Sequence, residues 1–548
     1  MDFAVMLSDE RIQAMAKAGL WPDRLITDCL DEAVADCPHK VAVVDHNSST
    51  GRRTTLSYRQ LRQLADRMAL GLIQLGVMPG DVVSYQLPNW WEFTALSLAC
   101  MRIGAVANPL MPIFRERELR FMLEFSEAKV LVVPREFRGF DHPAMMKGLR
   151  KELPALREVL VVEGAPSGSF EAALTARRWE EELDARALFA ERRPRPNDVM
   201  ELLYTSGTTG EPKGVMHTHN TLLGNLQVNT RFHGLTGEDV VLMASPNAHQ
   251  TGFLHGMVMP IFLKAKSVLQ DIWSPELAAR LIQDEGATFT MASTPFLADL
   301  TELPSAESYD LSTLRIFLCA GAPIPRVLAQ QANERLDVRV VAAWGMTENG
   351  VVTATKPDDP PEKIFGTDGC AIPGMEVRIV DEQGAPVPTD QEGRLQARGM
   401  NNFVGYLKRP ERYDHDPQGW FETGDLARMD GDGYIRIIGR GKDIIIRGGE
   451  NVPVIEVEQL LYQHPAIQDV AVVGMPDGRL GERGCAFAVL REGSSLSFRE
   501  MVAYLEESKM ARQYFPERLE ILQEFPRTAS GKIQKFQLRE MAANLAAE

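Results

Sequence analysis

The run Tyr204-Thr205-Ser206-Gly207-Thr208-Thr209-Gly210-Glu211-Pro212-Lys213-Gly214 packs four hydroxyls, three glycines and one lysine into eleven residues. It follows a mostly apolar stretch from Val199 to Tyr204 that reads as a strand. Glycine lets backbone N–H groups approach an anion closely, hydroxyls add donors, and lysine adds a compact positive charge. Together these make a polyphosphate cradle; a plain polar surface turn would explain a shorter run better than this one. The common NTPase P-loop is excluded, because it needs Gly directly before Lys and Ser or Thr after it. Here Pro212 precedes Lys213 and Gly214 follows.

Three further groups suit the chemistry of a bound polyphosphate ligand. In Trp344-Gly345-Met346-Thr347-Glu348 an aromatic face, an open position and a hard oxygen ligand stand together. Mg2+ takes only one or two protein carboxylates beside phosphate oxygens, so a single glutamate suffices. Asp425, in Thr423-Gly424-Asp425, can accept from two hydroxyls at once, although an aspartate in such a turn is ordinarily turn chemistry alone. Lys532 follows Thr528-Ala529-Ser530-Gly531, a flexible loop able to carry an ammonium to a buried centre. Where two anions must meet, a cation held between them lowers the barrier. No Ser-His-Asp or Cys-His arrangement is apparent.

With Gly321-Ala322-Pro323, Gly439-Arg440 and the Pro526 to Lys532 run, these motifs resemble, in order and over nearly the whole chain, those of the AMP-binding, acyl-adenylate-forming enzymes. That superfamily includes acyl-CoA synthetases, luciferases and peptide-synthetase adenylation domains. The resemblance implies an ATP site made of Thr205, Ser206, Gly207, Thr208, Thr209, Gly210, Lys213, Gly321, Ala322, Pro323, Trp344, Gly345, Met346, Thr347, Asp425 and Arg440. Trp344, where the family more often has tyrosine, would pack on adenine, and Asp425 and Arg440 would hold ribose or phosphate. Glu348 and Thr208 (or Thr209) would serve Mg2+, with Lys532 and Glu348 as the catalytic pair. His249 and Gly345 would line the acyl pocket. Lys442 would be the hinge for a small domain with two poses. One pose inserts Lys532; the other brings Gly448 and Gly449 to the pantetheine arm of coenzyme A.

The implied reaction activates a carboxylic acid with ATP, releases pyrophosphate and transfers the acyl group to coenzyme A. Leu87 to Phe93 and Asn108 to Arg115 look similar to ligases of short-chain, medium-chain or alicyclic acids. Two other readings stand beside this one: an adenylating enzyme that loads a carrier protein, and a nucleotide-sensing binding protein of the same fold. Against the first, only about sixteen residues follow Lys532, with no carrier-like domain apparent. Against the second, a sensor has no need of Lys532, Glu348 and Asp425 together. A luciferase-like oxygenase shares the first half-reaction, and the motifs leave it open.

The elements that position these groups read as α/β layering. Leu61, Leu64, Ala65, Met68, Leu72 and Leu75 fall on one face of a helix over Tyr58 to Leu75, entered by a Ser57/Gln60 capping box. Apolar runs predict strands at Val130–Val133, Val159–Val162, Val240–Met243, Thr288–Ala292, Ile316–Leu318 and Val338–Ala342. The Glu-, Arg- and Pro-rich segment 163–197 reads as a surface excursion. From Ile364 the spacing of strands and turns predicts a β-rich subdomain. The last hundred residues predict a small mobile α+β domain, with strands at Asp443–Arg447, Val470–Val473, Cys485–Leu490 and Leu519–Leu522 and helices at Pro453–Gln463 and Phe498–Ser508. The division is 1–439 for a large N-terminal domain and 440–548 for the C-terminal one.

A chain of 548 residues exceeds one core, and 45% hydrophobic with 24% charged residues is an ordinary globular balance. A net charge of −16 works against duplex nucleic acid and anionic lipid, so any anion must be held by a local donor cluster. The six cysteines form no metal-ligand spacing and are too dilute for a disulfide scaffold, which points to the cytoplasm. No export signal opens the chain, and its apolar stretches are too short or interrupted to span a bilayer. The expected partners are a small carboxylic acid, ATP and coenzyme A, with a homodimer left open.

Overall fold

Ser57 starts the longest helix of the core, Tyr58–Gln74. Its hydroxyl accepts from the Gln60 N–H while the Gln60 side chain accepts from the Ser57 N–H. The computed structural model describes residues 3–165, 168–205, 212–321, 324–440, 445–447, 450–477, 480–508, 510, 512–528 and 531–546. Beside that helix lies Trp91–Arg102, buried at every position from Glu92 to Met101. A helix buried all round needs apolar residues on every face; of its polar exceptions, Glu92 pairs with Arg52 at 3.0 Å and Ser97 with the Phe93 carbonyl at 2.8 Å, whereas the Thr94 hydroxyl has no partner among the described residues.

Two large mixed sheets form the N-terminal layers. In one, five strands run parallel in the order Arg339–Met346, Ile316–Cys319, Phe289–Ala292, Val240–Met243, Lys266–Gln270. This sheet continues through Val41–Asn47 to the edge strand Arg52–Ser57, and on its other side to Gly350–Ala354 and Cys370–Ala371. The other sheet has parallel strands Val199–Thr205, Val106–Pro109, Val82–Tyr85, Val130–Pro134 and Glu158–Val162, with Lys213–Thr218 antiparallel at its edge. An antiparallel sheet of Met375–Val380, Gly393–Gly399, Phe421–Met429 and Ile435–Arg440 follows, as the change of texture after Ile364 predicts. The C-terminal body has its own sheet, built on Ile467–Asp477 and Gly481–Leu490, with Arg518–Leu522 parallel to the latter. Helices Val454–Tyr462, Phe498–Glu507 and Lys535–Ala546 accompany it.

The differences from expectation are local. Ile467–Asp477 runs well past the apolar run Val470–Val473, because it continues as an arm paired to Gly481–Leu490 beyond the core. Segment 163–197 is not wholly a surface excursion: Phe170 and Leu174 are buried, and Leu174 packs where a side chain on Gly71 would stand, 2.9 Å away. The hairpin Val41–Asn47/Arg52–Ser57 has no counterpart among the predicted strands, since charged and hydroxyl residues fill its outer strand. Among the described residues no helix is long and apolar enough to cross a membrane.

Candidate active site

Two neighbouring parallel strands end side by side, Ala292 opposite Cys319, and the next, opposite Cys319 at Ala342, runs on to Met346. Crevices outside the carboxyl ends of such strands are where open α/β sheets bind ligands. Here those ends deliver Ser293, Gly321 and the Trp344 to Glu348 segment to one place. From the second sheet, strands Val199–Thr205 and Lys213–Thr218 pair so that Thr205 faces Lys213. The hydroxyl-rich run is therefore the link of a hairpin whose two ends are held together. Thr205 Oγ1 is buried without a partner among the described residues, a donor held ready for an anion.

Residues 403–407 join the two sheets. The Phe403 N–H donates to the Glu348 carbonyl at 2.7 Å, the Met216 N–H to Gly405 at 3.1 Å, and the Leu407 N–H to Gly214 at 2.8 Å. This stitching brings Tyr406 between the two chemical groups. Its hydroxyl donates to Glu348 Oε1 at 2.7 Å and accepts from Lys213 Nζ at 3.3 Å, and Lys213 stands 4.6 Å from the ring centroid. Burial, reinforced by Glu348, pushes the Tyr406 phenol up, so it stays a donor. Glu348 is 3% exposed. Among the described residues no cluster of three or more His, Cys, Asp or Glu could hold a metal. An ion here would rest on Glu348 and on phosphate oxygens, which suits Mg2+. Behind this segment His217 donates from Nε2 to the Thr347 carbonyl at 2.7 Å, and burial pushes its pKa down to about 4.

Trp344 is bonded as well as packed: its indole N–H donates to Asp425 Oδ2 at 2.9 Å in buried surroundings. Asp425 belongs to strand Phe421–Met429, and its N–H donates to the Thr423 hydroxyl at 3.1 Å. Gly345 has no room for a side chain, because a Cβ there would lie 1.8 Å from the Gly350 carbonyl. Met346 and Thr347 continue the segment, with the Met346 N–H held by Asn349 Oδ1 at 3.1 Å.

Lys532 comes from the C-terminal body on a tight loop. The Thr528 N–H donates to the Lys532 carbonyl at 2.8 Å, the Lys532 N–H to the Thr528 hydroxyl at 3.1 Å, and Arg527, paired with Asp469, to the Gly531 carbonyl at 2.8 Å. Its side chain reaches the crevice: a Cβ on Gly321 would stand 3.1 Å from Lys532 Cε and 3.6 Å from Nζ. Gly321 also has φ +87, so glycine is required there twice over. His249 lies near the same ammonium. Burial first, and Lys532 second, push its pKa down to about 3. Its Nδ1 accepts from the Thr251 N–H at 3.3 Å, which leaves the proton on Nε2.

The structure thus brings Thr205, Lys213, Gly321, Trp344, Gly345, Met346, Thr347, Glu348, Asp425, His249 and Lys532 to one crevice. Ser206, Gly207, Thr208, Thr209, Gly210, Ala322, Pro323, Lys442, Gly448 and Gly449 lie outside the described residues, as does the Arg440 side chain; the Arg440 backbone pairs with Asp425. Sequence reasoning missed Tyr406, whose one signal is an isolated Gly405-Tyr406 step.

The family model of the AMP-binding enzymes matches residues 30–407, and that of the AMP-binding enzyme C-terminal domain matches residues 456–532. The chain is 38% identical over 542 residues to a medium-chain fatty-acid–CoA ligase of Escherichia coli (strain K12), covering 98% of this chain and 94% of that protein. It is 33% identical over 532 residues to a salicylyl-CoA synthase / salicylate adenylyltransferase of Streptomyces sp, with 96% and 95% covered. Among solved structures it superposes on the anthranilate CoA ligase AuaEII in complex with anthranoyl-AMP with a TM-score of 0.83, at 26% identity over 96% of this chain and 98% of that one.

Proposed function

The chain belongs to the AMP-binding enzyme family, and from that membership and the crevice just described we propose an ATP-dependent carboxylic acid–coenzyme A ligase. A carboxylate oxygen attacks the α-phosphorus of ATP, the bond to the pyrophosphate oxygen breaks, and acyl-adenylate remains. The thiolate of coenzyme A then attacks the acyl carbon, AMP leaves with the electron pair of the C–O bond, and the thiol proton passes to solvent. Thr205 and Lys213, with the hydroxyl-rich link between them, hold the phosphates. Asp425 accepts from the ribose hydroxyls and Trp344 backs the adenine. Lys532 lies between the two anions that must meet, and the neutral His249 stands at the acyl side. Mg2+, held by Glu348, would shield the charge of the departing pyrophosphate.

The observation that carries this reading is the meeting of Lys532 with Gly321 at the ends of the parallel strands, since only a cation reaching that crevice serves adenylation. We place the division between the domains at residues 439 and 440, with Lys442 as pivot for a second pose that admits the pantetheine arm at Gly448 and Gly449. The substrate class is a fatty, alicyclic or related acid, a choice supported by the medium-chain relative. A cytoplasmic location is supported by six unbridged, buried or half-buried cysteines. The test is pyrophosphate and AMP release from a panel of carboxylic acids with and without coenzyme A. Thiol-dependent turnover is expected; acid-dependent pyrophosphate release that coenzyme A never accelerates would refute the ligase.

A further inference from the structure

The helix His219–His233 sets Asn225, Asn229 and His233 on one face, four residues apart. All three are at most 2% exposed. His255, from the buried π-helix Gly252–Val258, meets Asn229. The hydrogen bonds decide which atoms donate. Asn225 Nδ2 donates to the Val351 carbonyl at 3.0 Å. His255 Nδ1 lies 3.3 Å from the Thr251 carbonyl and so carries the proton; its Nε2 accepts from Asn229 Nδ2 at 3.2 Å. Both amide oxygens, Asn225 Oδ1 and Asn229 Oδ1, are therefore acceptors, and among the described residues both are buried with no donor. Both ring nitrogens of His233 are likewise unpartnered, as are both amide atoms of Asn247, which lies against Gly256 of the same π-helix. Burial keeps His233 neutral down to about pH 3, with one ring donor and one ring acceptor.

Interiors pair nearly all their buried polar groups, so a seam of unpaired ones calls for an occupant that is not protein. Hydrogen-bonded neighbours tie this seam to the crevice. At one point Asn225 bonds Val351, which pairs with Gly345, and a Cβ on Gly350 would stand 3.2 Å from Asn225 Nδ2. At another, Thr251 links His249 to His255 through its N–H and its carbonyl. Resting on the ligase reading, we propose that the seam receives the tail of the acyl substrate and selects carboxylic acids that carry a hydroxyl remote from the carboxylate. The two amide oxygens ask for a donor, and a hydroxyl supplies one while still accepting from His233 or Asn247. An unbranched hydrocarbon tail would leave every one of these groups unpaired.

The experiment compares kcat/KM for octanoate with that for its 4-, 6- and 8-hydroxy derivatives, read as coenzyme A-dependent AMP release, in the wild type and in Asn229→Leu. One net buried hydrogen bond corresponds to roughly tenfold, and a site built to bond a hydroxyl rejects the analogue lacking it by more. At least one hydroxy acid is expected to exceed octanoate about tenfold or more in the wild type, and Asn229→Leu to bring that ratio to one or below. Octanoate preferred over every hydroxy acid by the wild type would overturn the proposal, the seam then holding water, and would leave the ligase intact. That comparison decides even if Asn229→Leu does not fold. A hydroxy-acid preference untouched in a folded Asn229→Leu would also overturn it, whereas no thiol-dependent turnover of any acid removes the ligase reading and this one with it.

Discussion

Replacing Trp344 by phenylalanine keeps an aromatic face for adenine and deletes one hydrogen bond, the indole N–H to Asp425 Oδ2 at 2.9 Å. Asp425 is 4% exposed and Trp344 8%, so water replaces the lost donor poorly. A hydrogen bond to a charged group is worth about 1.5–3 kcal/mol, which corresponds to roughly a 10- to 100-fold fall at about 1.4 kcal/mol per decade. The loss is expected in kcat/KM for ATP, with KM for the acid little changed, since Asp425 faces the ribose in the proposed site. Acid-dependent ATP–pyrophosphate exchange measures both, and thermal melting separates the effect from a general loosening of the core. A double-mutant cycle gives the sharper answer. If the indole acts through Asp425, Trp344→Phe costs nothing further in an Asp425→Ala background. An equal fall for ATP in both backgrounds would refute the reasoning and leave Trp344 as an adenine shelf only.

Lys532→Ala is expected to abolish adenylate formation, with pyrophosphate exchange falling at least about 100-fold as a preorganised charge is lost, while supplied acyl-adenylate is still converted to thioester; equal loss of both halves would contradict two separate poses. Tyr406→Phe removes the 2.7 Å bond to Glu348, and kcat is expected to fall about 10-fold or more with a raised Mg2+ requirement, read by metal titration of the exchange reaction. The pKa values of His217 and His255 are pushed down to about 4 and those of His219, His233 and His249 to about 3, chiefly by burial. Below the ordinary value near 6.5 the unfolded chain binds protons that the folded one refuses, so stability is lost as pH falls from 6.5 to about 4, by up to about 1.4 kcal/mol per pH unit for each group; carboxyls that burial pushes up act the other way, among them Glu201, Glu92 (to about 8), Asp368, Glu458 and Asp469. The melting temperature at pH 5 is therefore expected below that at pH 7, and a higher one would show that the carboxyls govern.

What could be read from the residues was chemistry that needs several unusual types close together. The Thr205 to Gly214 run and the Trp344 to Glu348 segment announce themselves because hydroxyls, glycines and a charge have no packing reason to cluster. Partnerships across the chain were silent. Trp344 and Asp425 are 81 residues apart, and Tyr406 reaches Glu348 only because the 403–407 segment sews one sheet to the other. Strands were legible where both faces are apolar and not where polar residues continue the pairing, as at the end of Ile467–Asp477. Asn225, Asn229 and His233 show the opposite failure: a polar stripe at helical spacing reads as a wet face, and only tertiary packing makes it a buried one.

The same asymmetry bears on motion. Beyond the seating of Gly531 against Ser293 and Phe296, the contacts between the two bodies include ion pairs such as Arg491 with Glu302 at 3.0 Å and Arg428 with Glu456 at 3.9 Å. Every partner in those pairs is substantially exposed, and exposed pairs contribute at most about 1 kcal/mol each. The apolar clusters of the C-terminal body close mainly on its own residues, from Ile445 and Val457 to Phe487 and Leu538. Tyr462 also packs against the N-terminal apolar cluster that holds Phe296 and Leu300, so the contact between the bodies is part apolar and part ionic. In the two-pose reading proposed above, ATP and a carboxylate would add to the pull on Lys532, and departure of pyrophosphate would remove part of it at the moment the thiol needs access.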